Sequence, residues 1–321
     1  MIMKKLKFSL ATLFFYCCIG QSCSQQTGTG DKSMNKTFES MTPCNDEVKE
    51  MLGIPADFKC EMMKWTLTLS NDSKKEPSNF TLIYTYGLAK QGTRGFSDGA
   101  KTIELKGKWT IEKRNSKNKN VIVTLIADKS PLTLSFLQPG QNLLHLLNKN
   151  KQLVNGTAAW SYTLNRTDPV THPAGKFTPR LVSSTKLPVI SDTVGIFYGR
   201  TPCDKVLREI NNISAEGCQI IKCKLVLLQD TNTHLPTNFI IQTIYVGKGD
   251  NRYTVTGTWK LLEGTIDDPA AMVYQLFPAP GKPQNQLLLL KADDNILYFI
   301  DDDTNLLVGD SYSSYTLNRA K

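Results

Sequence analysis

The sequence has little of what most enzymes, metal sites and nucleic-acid sites require. Only 3 of its 321 residues are histidines, and His145, His172 and His234 share no cysteine or carboxylate spacing typical of zinc ligands. No Ser-His-Asp order, pair of catalytic carboxylates or glycine-rich phosphate loop can be argued. The net charge is +9, but no dense basic run is interleaved with aromatic residues. The sequence therefore predicts a non-enzymatic protein that has no nucleic acid as its partner.

Long apolar runs are also scarce, and the one over 8–19 is too short to span a membrane as a helix. It follows three lysines and is typical of an export signal, predicted over 1–22. The small residues before Cys23 predict that this cysteine is lipidated and becomes the first residue of a lipoprotein. The alternative is plain secretion with cleavage near Ser22. The polar segment 23–42 is predicted to be a flexible tether.

The rest of the chain contains the same unit twice. The hexapeptide Ser-Tyr-Thr-Leu-Asn-Arg occurs at 161–166 and again at 314–319. Other matches follow in the same order: Thr42-Pro43-Cys44 with Thr201-Pro202-Cys203, Cys60 with Cys218, Pro77 with Pro236, Tyr86 with Tyr245, and Gly107-Lys108-Trp109 with Gly257-Thr258-Trp259. A period this long indicates a duplicated domain. The predicted domains are 43–166 and 193–321. The proline-containing segment 167–192 between them is predicted to be an extended linker or a strap over one barrel.

Within each copy, apolar residues alternate with polar ones. Trp65, Leu67 and Leu69 show the period of two that is typical of a half-buried strand. About eight such short runs per copy, separated by turn residues and without a long helix, predict an antiparallel up-and-down barrel. A short helix is predicted between Asn45, as its N-cap, and Gly53. The predicted fold is therefore all-β, with two tandem lipocalin-like barrels.

The repeat also aligns the cysteines. It pairs Cys44 with Cys60 and Cys203 with Cys218, which predicts one disulfide per copy in an oxidising compartment. Closing a loop of this length stabilises a protein by about 3 kcal/mol in the chain-entropy model. Each disulfide would hold the short helix or loop that it encloses against its barrel.

Two alternatives to purely structural cysteines stay open. Cys44 and Cys60 could act as reduced thiolates that bind Cu(I), with the thioether of Met62 beside them. Cys223 has no partner and stands where Trp65 stands in the first copy. We expect a buried free thiol there, and an intermolecular bridge or a redox role is the alternative.

Several of the repeated segments together resemble the N-terminal domain of the NlpE lipoproteins, which are called copper-resistance or copper-homeostasis proteins. They are Gly199-Arg200-Thr201-Pro202-Cys203, Tyr245-Val246-Gly247, Gly257-Thr258-Trp259 and Tyr315-Thr316-Leu317-Asn318-Arg319. The resemblance implies a barrel that is lipid-anchored at the outer membrane and faces the periplasm. It also implies a role in copper homeostasis or in sensing envelope stress, either surface contact or redox state, through an envelope protein partner.

The chain departs from that family in its cysteine spacing. The family has a close Cys-x-x-Cys pair, whereas fifteen residues lie between Cys44 and Cys60. A wide pair favours a structural bridge over a metal clamp. The competing function is a lipocalin-like carrier that holds a small apolar ligand inside a barrel. Its predicted lining residues are Trp65, Phe80, Tyr84 and Trp109.

Overall fold

A computed structural model describes residues 35–113, 121–170, 177–182, 192–203, 207, 214, 216–247, 249, 251–280 and 286–320. The predicted signal peptide, Cys23 and His172 lie outside the described residues. Within the described part of the chain, no helix is both long enough and apolar enough to cross a membrane.

The first repeat folds into a closed barrel of eight antiparallel strands, as the alternating pattern predicts. Its strands are β1 (Lys36–Pro43), β2 (Met62–Asn71), β3 (Pro77–Gly87), β4 (Lys101–Lys113), β5 (Val121–Ala127), β6 (Thr133–Gln138), β7 (Leu143–Leu147) and β8 (Thr163–Arg166). Each strand pairs with the next one along the chain, and β8 closes the barrel by pairing with β1. The repeated hexapeptide thus contains the closing strand, which removes the free sheet edges.

The second repeat builds a second closed barrel with the same order of strands. These are β10 (Thr193–Thr201), β11 (Ile220–Gln229), β12 (Pro236–Val246), β13 (Arg252–Glu263), β14 (Met272–Pro278), β15 (Leu287–Lys291), β16 (Ile296–Ile300) and β17 (Thr316–Arg319). Strand β17 pairs with β10 and closes it. The two-residue strand β9 (Arg180–Leu181) adds to β13 from the segment between the barrels.

The structure bears on two segments of the sequence-based assignment. Strand β1 begins at Lys36, inside the segment 23–42 that was predicted to be a tether, because its register with β2 runs from Lys36 to Pro43. Within the segment 167–192, strand β9 forms part of the sheet of the second barrel, which agrees with the strap alternative rather than with a plain linker.

Each barrel encloses its own apolar core. Trp65, Leu67 and Leu69 point inward and are almost completely buried, whereas their neighbours on β2 are only half-buried. Gly107 permits the tight packing of β4 on β5, because an added Cβ would lie 2.0 Å from the carbonyl oxygen of Ile126. The repeated Gly-x-Trp segment therefore has a steric origin.

The predicted helix is present as α1 (Asp46–Leu52). The Asn45 side chain accepts a hydrogen bond from the Val48 N–H at 2.9 Å, which caps the helix. Gly53 ends it at φ 66°, a backbone conformation that favours glycine. Val48 and Leu52 are buried in the core cluster of the first barrel, so the helix packs onto that core.

The two closing strands meet each other at the contact between the barrels. The hydroxyl oxygens of Thr163 and Thr316 lie 2.9 Å apart, and those of Ser161 and Ser314 lie 2.7 Å apart. In each pair, the two partners occupy the same place in the two repeats. Equivalent residues contact each other only close to a two-fold axis, so the barrels are related by an approximate two-fold that passes between β8 and β17.

The asparagines of the repeated hexapeptide extend this symmetry. Asn165 accepts a hydrogen bond from the Gly309 N–H at 2.9 Å and donates to the Asp310 carbonyl at 2.8 Å. Asn318 does the same in the other direction: it accepts from the Gly156 N–H at 3.0 Å and donates to the Thr157 carbonyl at 3.1 Å. Both asparagines are 2 % exposed, and a buried amide of this kind is costly unless it is paired.

Apolar side chains surround this polar axis. The cluster contains residues from the outer faces of both barrels: Ile122, Leu137, Leu147 and Leu153 from the first, and Ile296 and Tyr298 from the second. Burial of these side chains removes apolar surface from water and stabilises the contact. The described residues of both barrels belong to one compact unit.

Candidate functional site

Both disulfides expected from the repeat alignment are present. Cys44 is bonded to Cys60, with Cα atoms 5.6 Å apart, and Cys203 is bonded to Cys218, with Cα atoms 5.9 Å apart. The first bond encloses α1 and the loop that returns to β2. The ring of Phe58 from that loop packs edge-on against Tyr86, 5.0 Å away. The bridge therefore holds a packed cap on the first barrel.

The second bridge encloses an equivalent segment, and Leu207 is one of its described residues. Leu207 stands at the position of Val48, four residues after the first cysteine of its pair. It is 1 % exposed and belongs to the core cluster of the second barrel. Its carbonyl accepts a hydrogen bond from the Tyr245 hydroxyl at 2.6 Å. Both barrels thus bury an apolar residue from the segment that their disulfide encloses.

Two of the candidate Cu(I) ligands are joined in a disulfide. The sulfurs of Cys44 and Cys60 are bonded to each other, so neither offers a thiolate to a soft metal. Met63 lies in the core, and Met62 is adjacent to it on β2 and therefore belongs to the opposite, outer face. Met62 instead lines a cavity of about 340 Å³ together with Met41. Among the described residues, no group of three or more His, Cys, Asp or Glu side chains could hold a metal ion.

Cys223 is the free cysteine among the described residues. It is 3 % exposed and packs in the core of the second barrel, at the place that Trp65 occupies in the first. Burial raises the pKa of its thiol to about 12. A thiol in this environment is a poor nucleophile, because the reactive form is the thiolate. The environment thus favours the buried-thiol interpretation over a redox role or an intermolecular bridge.

The four residues proposed to line a ligand cavity pack into the core of the first barrel. Trp65, Phe80, Tyr84 and Trp109 are between 1 % and 3 % exposed. The Trp65 and Tyr84 rings are in contact, with centroids 5.8 Å apart. The indole N–H of Trp65 donates to the Thr42 hydroxyl, and that of Trp109 donates to the Ser70 carbonyl, both at 2.8 Å. Their contacts are those of a filled barrel interior.

His145 has a structural place that the sequence does not reveal. It lies on β7, is completely buried and contacts the ring of Tyr298, its counterpart in the second repeat, at 5.9 Å between centroids. Its Nε2 is 3.0 Å from the Val154 carbonyl and its Nδ1 is 2.9 Å from the Thr163 hydroxyl. Because a carbonyl only accepts, the proton of the neutral ring is on Nε2. Burial lowers the pKa of His145 to about 4.

The outer face of the second barrel carries four cations that the sequence analysis did not predict to lie together. Cross-strand pairing aligns two neighbouring rows of outward side chains over β10, β11, β12 and β13. The first row is Arg200, Lys222, Ile244 and Arg252, and the second is Tyr198, Lys224, Gln242 and Thr254. These rows form the floor of a cavity of about 410 Å³, which Ala158 and Ala159 of the first barrel border on one side. We call this cavity the cationic groove.

Arg200 is the most enclosed cation of the groove. Its guanidinium carbon lies 5.4 Å from the centre of the Trp160 ring, in a cation–π contact. Its Nε is buried and has no hydrogen-bond partner among the described residues. Desolvation lowers the pKa of Arg200, and no described carboxylate lines the groove. The groove is therefore a pocket of concentrated positive charge.

The alignment of the two repeats shows a difference in charge at the positions that form this groove. The positions of Arg200, Lys224 and Arg252 correspond to Met41, Thr66 and Thr102 in the first repeat. Three uncharged residues in one copy thus align with three cations in the other. The four cations are spread over more than fifty residues of the sequence, so they become neighbours only through the strand register.

No protein-family model, curated protein or solved structure matches this chain.

Thiol counting tests the assignment of the cysteines. For the chain from Ser24 onward, we expect no reactive thiol in the native state, one in concentrated guanidinium chloride, and five after reduction in denaturant. The single thiol is Cys223, which unfolding exposes, and the other four come from the two bridges. The Cys223→Ala variant should show none before reduction. Two or more reactive thiols in the native wild-type protein would contradict the assignment.

The buried His145 predicts a stability that falls in acid. Its pKa is about 4 in the folded chain and about 6.5 when unfolded, so between these values the unfolded chain binds a proton that the folded chain rejects. The contribution of neutral His145 to the free energy of unfolding is fully present above pH 6.5. It decreases by about 3 kcal/mol as the pH falls to 4. Urea unfolding across this range should show a shallower decrease for His145→Asn than for the wild type. Equal slopes would be inconsistent with a neutral buried His145.

Proposed function

We propose that this chain is a non-enzymatic lipoprotein of the cell envelope that resembles the NlpE family. It is anchored by Cys23 at the outer membrane, faces the periplasm and senses the redox state or surface contact of the envelope. The observation that carries the proposal is the pair of disulfides at equivalent places in the two barrels. Structural disulfides form and persist in oxidising compartments, which supports export.

The disulfides also favour redox sensing over direct binding of copper. Each one holds a buried apolar residue, Val48 or Leu207, against a barrel core. Reduction would remove that covalent restraint and loosen the cap, which offers a change that an envelope partner could detect. A copper role would act through this change, because the bonded sulfurs of Cys44 and Cys60 supply no thiolate.

The carrier hypothesis has weaker support. A lipocalin-like carrier needs an interior with room for a ligand. The aromatic residues that would line it, among them Trp65 and Tyr84, are instead packed against each other. The observed packing therefore favours a barrel that acts as a rigid scaffold, with recognition on its outer surface.

Replacement of the lipidated cysteine tests the anchoring. We expect Cys23→Ala to move the protein from the outer-membrane fraction to the soluble periplasmic fraction, because the lipid would be its attachment to the bilayer. Globomycin, which blocks lipoprotein signal cleavage, should increase the mass of the wild-type protein. The matched control is Cys18→Ala, which changes a cysteine within the predicted signal and should leave the mature protein membrane-bound. An unchanged mass and membrane fraction for Cys23→Ala would rule out lipidation at this residue.

A further inference from the structure

We propose that the cationic groove of the second barrel binds an organic phosphate ester, with the phosphate on its cations and an apolar or ring-shaped group against its tyrosine and alanine surfaces. This inference goes beyond the proposed function and does not depend on lipidation or redox sensing. The cavity of about 410 Å³ has the size of a small-molecule site.

The charge of the groove is not required by the barrel fold. In the first barrel, the same cross-strand rows have one lysine and two glutamates instead of four cations. The first of these rows is Met41, Lys64, Thr85 and Thr102. The second is Glu39, Thr66, Ile83 and Glu104. Both sets form the same four-stranded wall, so the cations serve something other than folding.

The positive charges of the groove also destabilise the protein when no anion is bound. Arg200 and Lys222 are directly opposite each other on β10 and β11, an arrangement that destabilises a sheet. Arg200 is in addition partly desolvated, with its Nε unpaired among the described residues. A bound anion would relieve both penalties, since it would neutralise the pair and accept the free N–H.

A difference between the repeats contributes to the opening of the groove. In the first barrel, the ring of Tyr312 lies over the face that corresponds to the groove, with the Lys64 amine 5.9 Å from its centre. The residue equivalent to Tyr312 in the first repeat is Ala159, which borders the groove. The approximate two-fold therefore places a tyrosine over one wall and an alanine over the other, and the small side chain leaves the space open.

The chemistry of the lining favours phosphate on an apolar group over a bare anion. Guanidinium groups match phosphate oxygens with paired hydrogen bonds, and two arginines with two lysines suit a doubly charged group. Tyr198 supplies a ring surface next to these cations, with the Lys224 amine 5.8 Å from its centre, and an apolar or planar group can pack on it. The shared ligand chemistry is that of a soluble phosphate ester or of a lipid phosphate headgroup.

Calorimetry with phenyl phosphate, inorganic phosphate and vesicles tests the site on the chain from Ser24 onward. The vesicles contain phosphatidylcholine with or without phosphatidic acid. We expect phenyl phosphate to bind more tightly than inorganic phosphate, and its affinity to fall as sodium chloride is added. Binding to phosphatidic acid vesicles without binding to phenyl phosphate would assign the site to a lipid headgroup. Absence of binding to both would overturn the proposal.

Variants copied from the first barrel locate the binding. The triple variant Arg200→Met, Lys224→Thr and Arg252→Thr introduces residues that the matched strands already accommodate. It should lower the affinity at least about tenfold, which is the effect of losing one charge-assisted hydrogen bond. Ala159→Tyr should weaken binding by filling the groove, without any change of charge. It also tests the site if the triple variant does not fold.

The matched control is Lys64→Thr, which removes the equivalent of Lys222 from the first barrel and should change the affinity less than about twofold. Thermal unfolding of each variant shows whether the fold is retained. Unchanged affinity in both the triple variant and Ala159→Tyr would place any binding elsewhere and overturn the assignment.

Discussion

The structure depends on the reciprocal hydrogen bonds that Asn165 and Asn318 make across the contact between the two barrels. Each amide is buried, and each is satisfied by the backbone of a loop in the opposite barrel. A buried amide without these partners would be destabilising, so the contact is specific as well as apolar. The asparagine belongs to the hexapeptide that also closes each barrel. One short segment therefore completes the fold of a repeat and joins it to the other.

The same symmetry produces the difference between the two outer walls. The loop after Asn155 reaches the second barrel, and its counterpart after Val308 reaches the first. Where the second loop carries Tyr312, the first carries Ala159, so one wall is covered and the other is open. Duplication has thus left a shared scaffold on which one copy keeps a covered face and the other acquires a charged one.

Local patterns in the sequence were sufficient for much of the fold. The alternation around Trp65 predicts β2, the Asn45 and Gly53 signals predict α1, and the repeat alignment predicts both disulfides, because each of these features is encoded by neighbouring or aligned residues. The contact between the barrels was not predicted. The hexapeptide suggests a closing strand, but no local pattern shows that Asn165 faces a loop 144 residues away. The groove was missed for the same reason, since strand register brings its cations together.

We expect the two barrels to form one particle that is held by their symmetric contact rather than by the segment that connects them. It is tested most directly by cutting the chain once between residues 182 and 192 and measuring the mass of the product under native conditions. The cut wild-type chain should remain a single particle of unchanged mass. Its halves should separate more easily when Asn165 and Asn318 are both replaced by alanine. Two independent particles from the cut wild-type chain would contradict it.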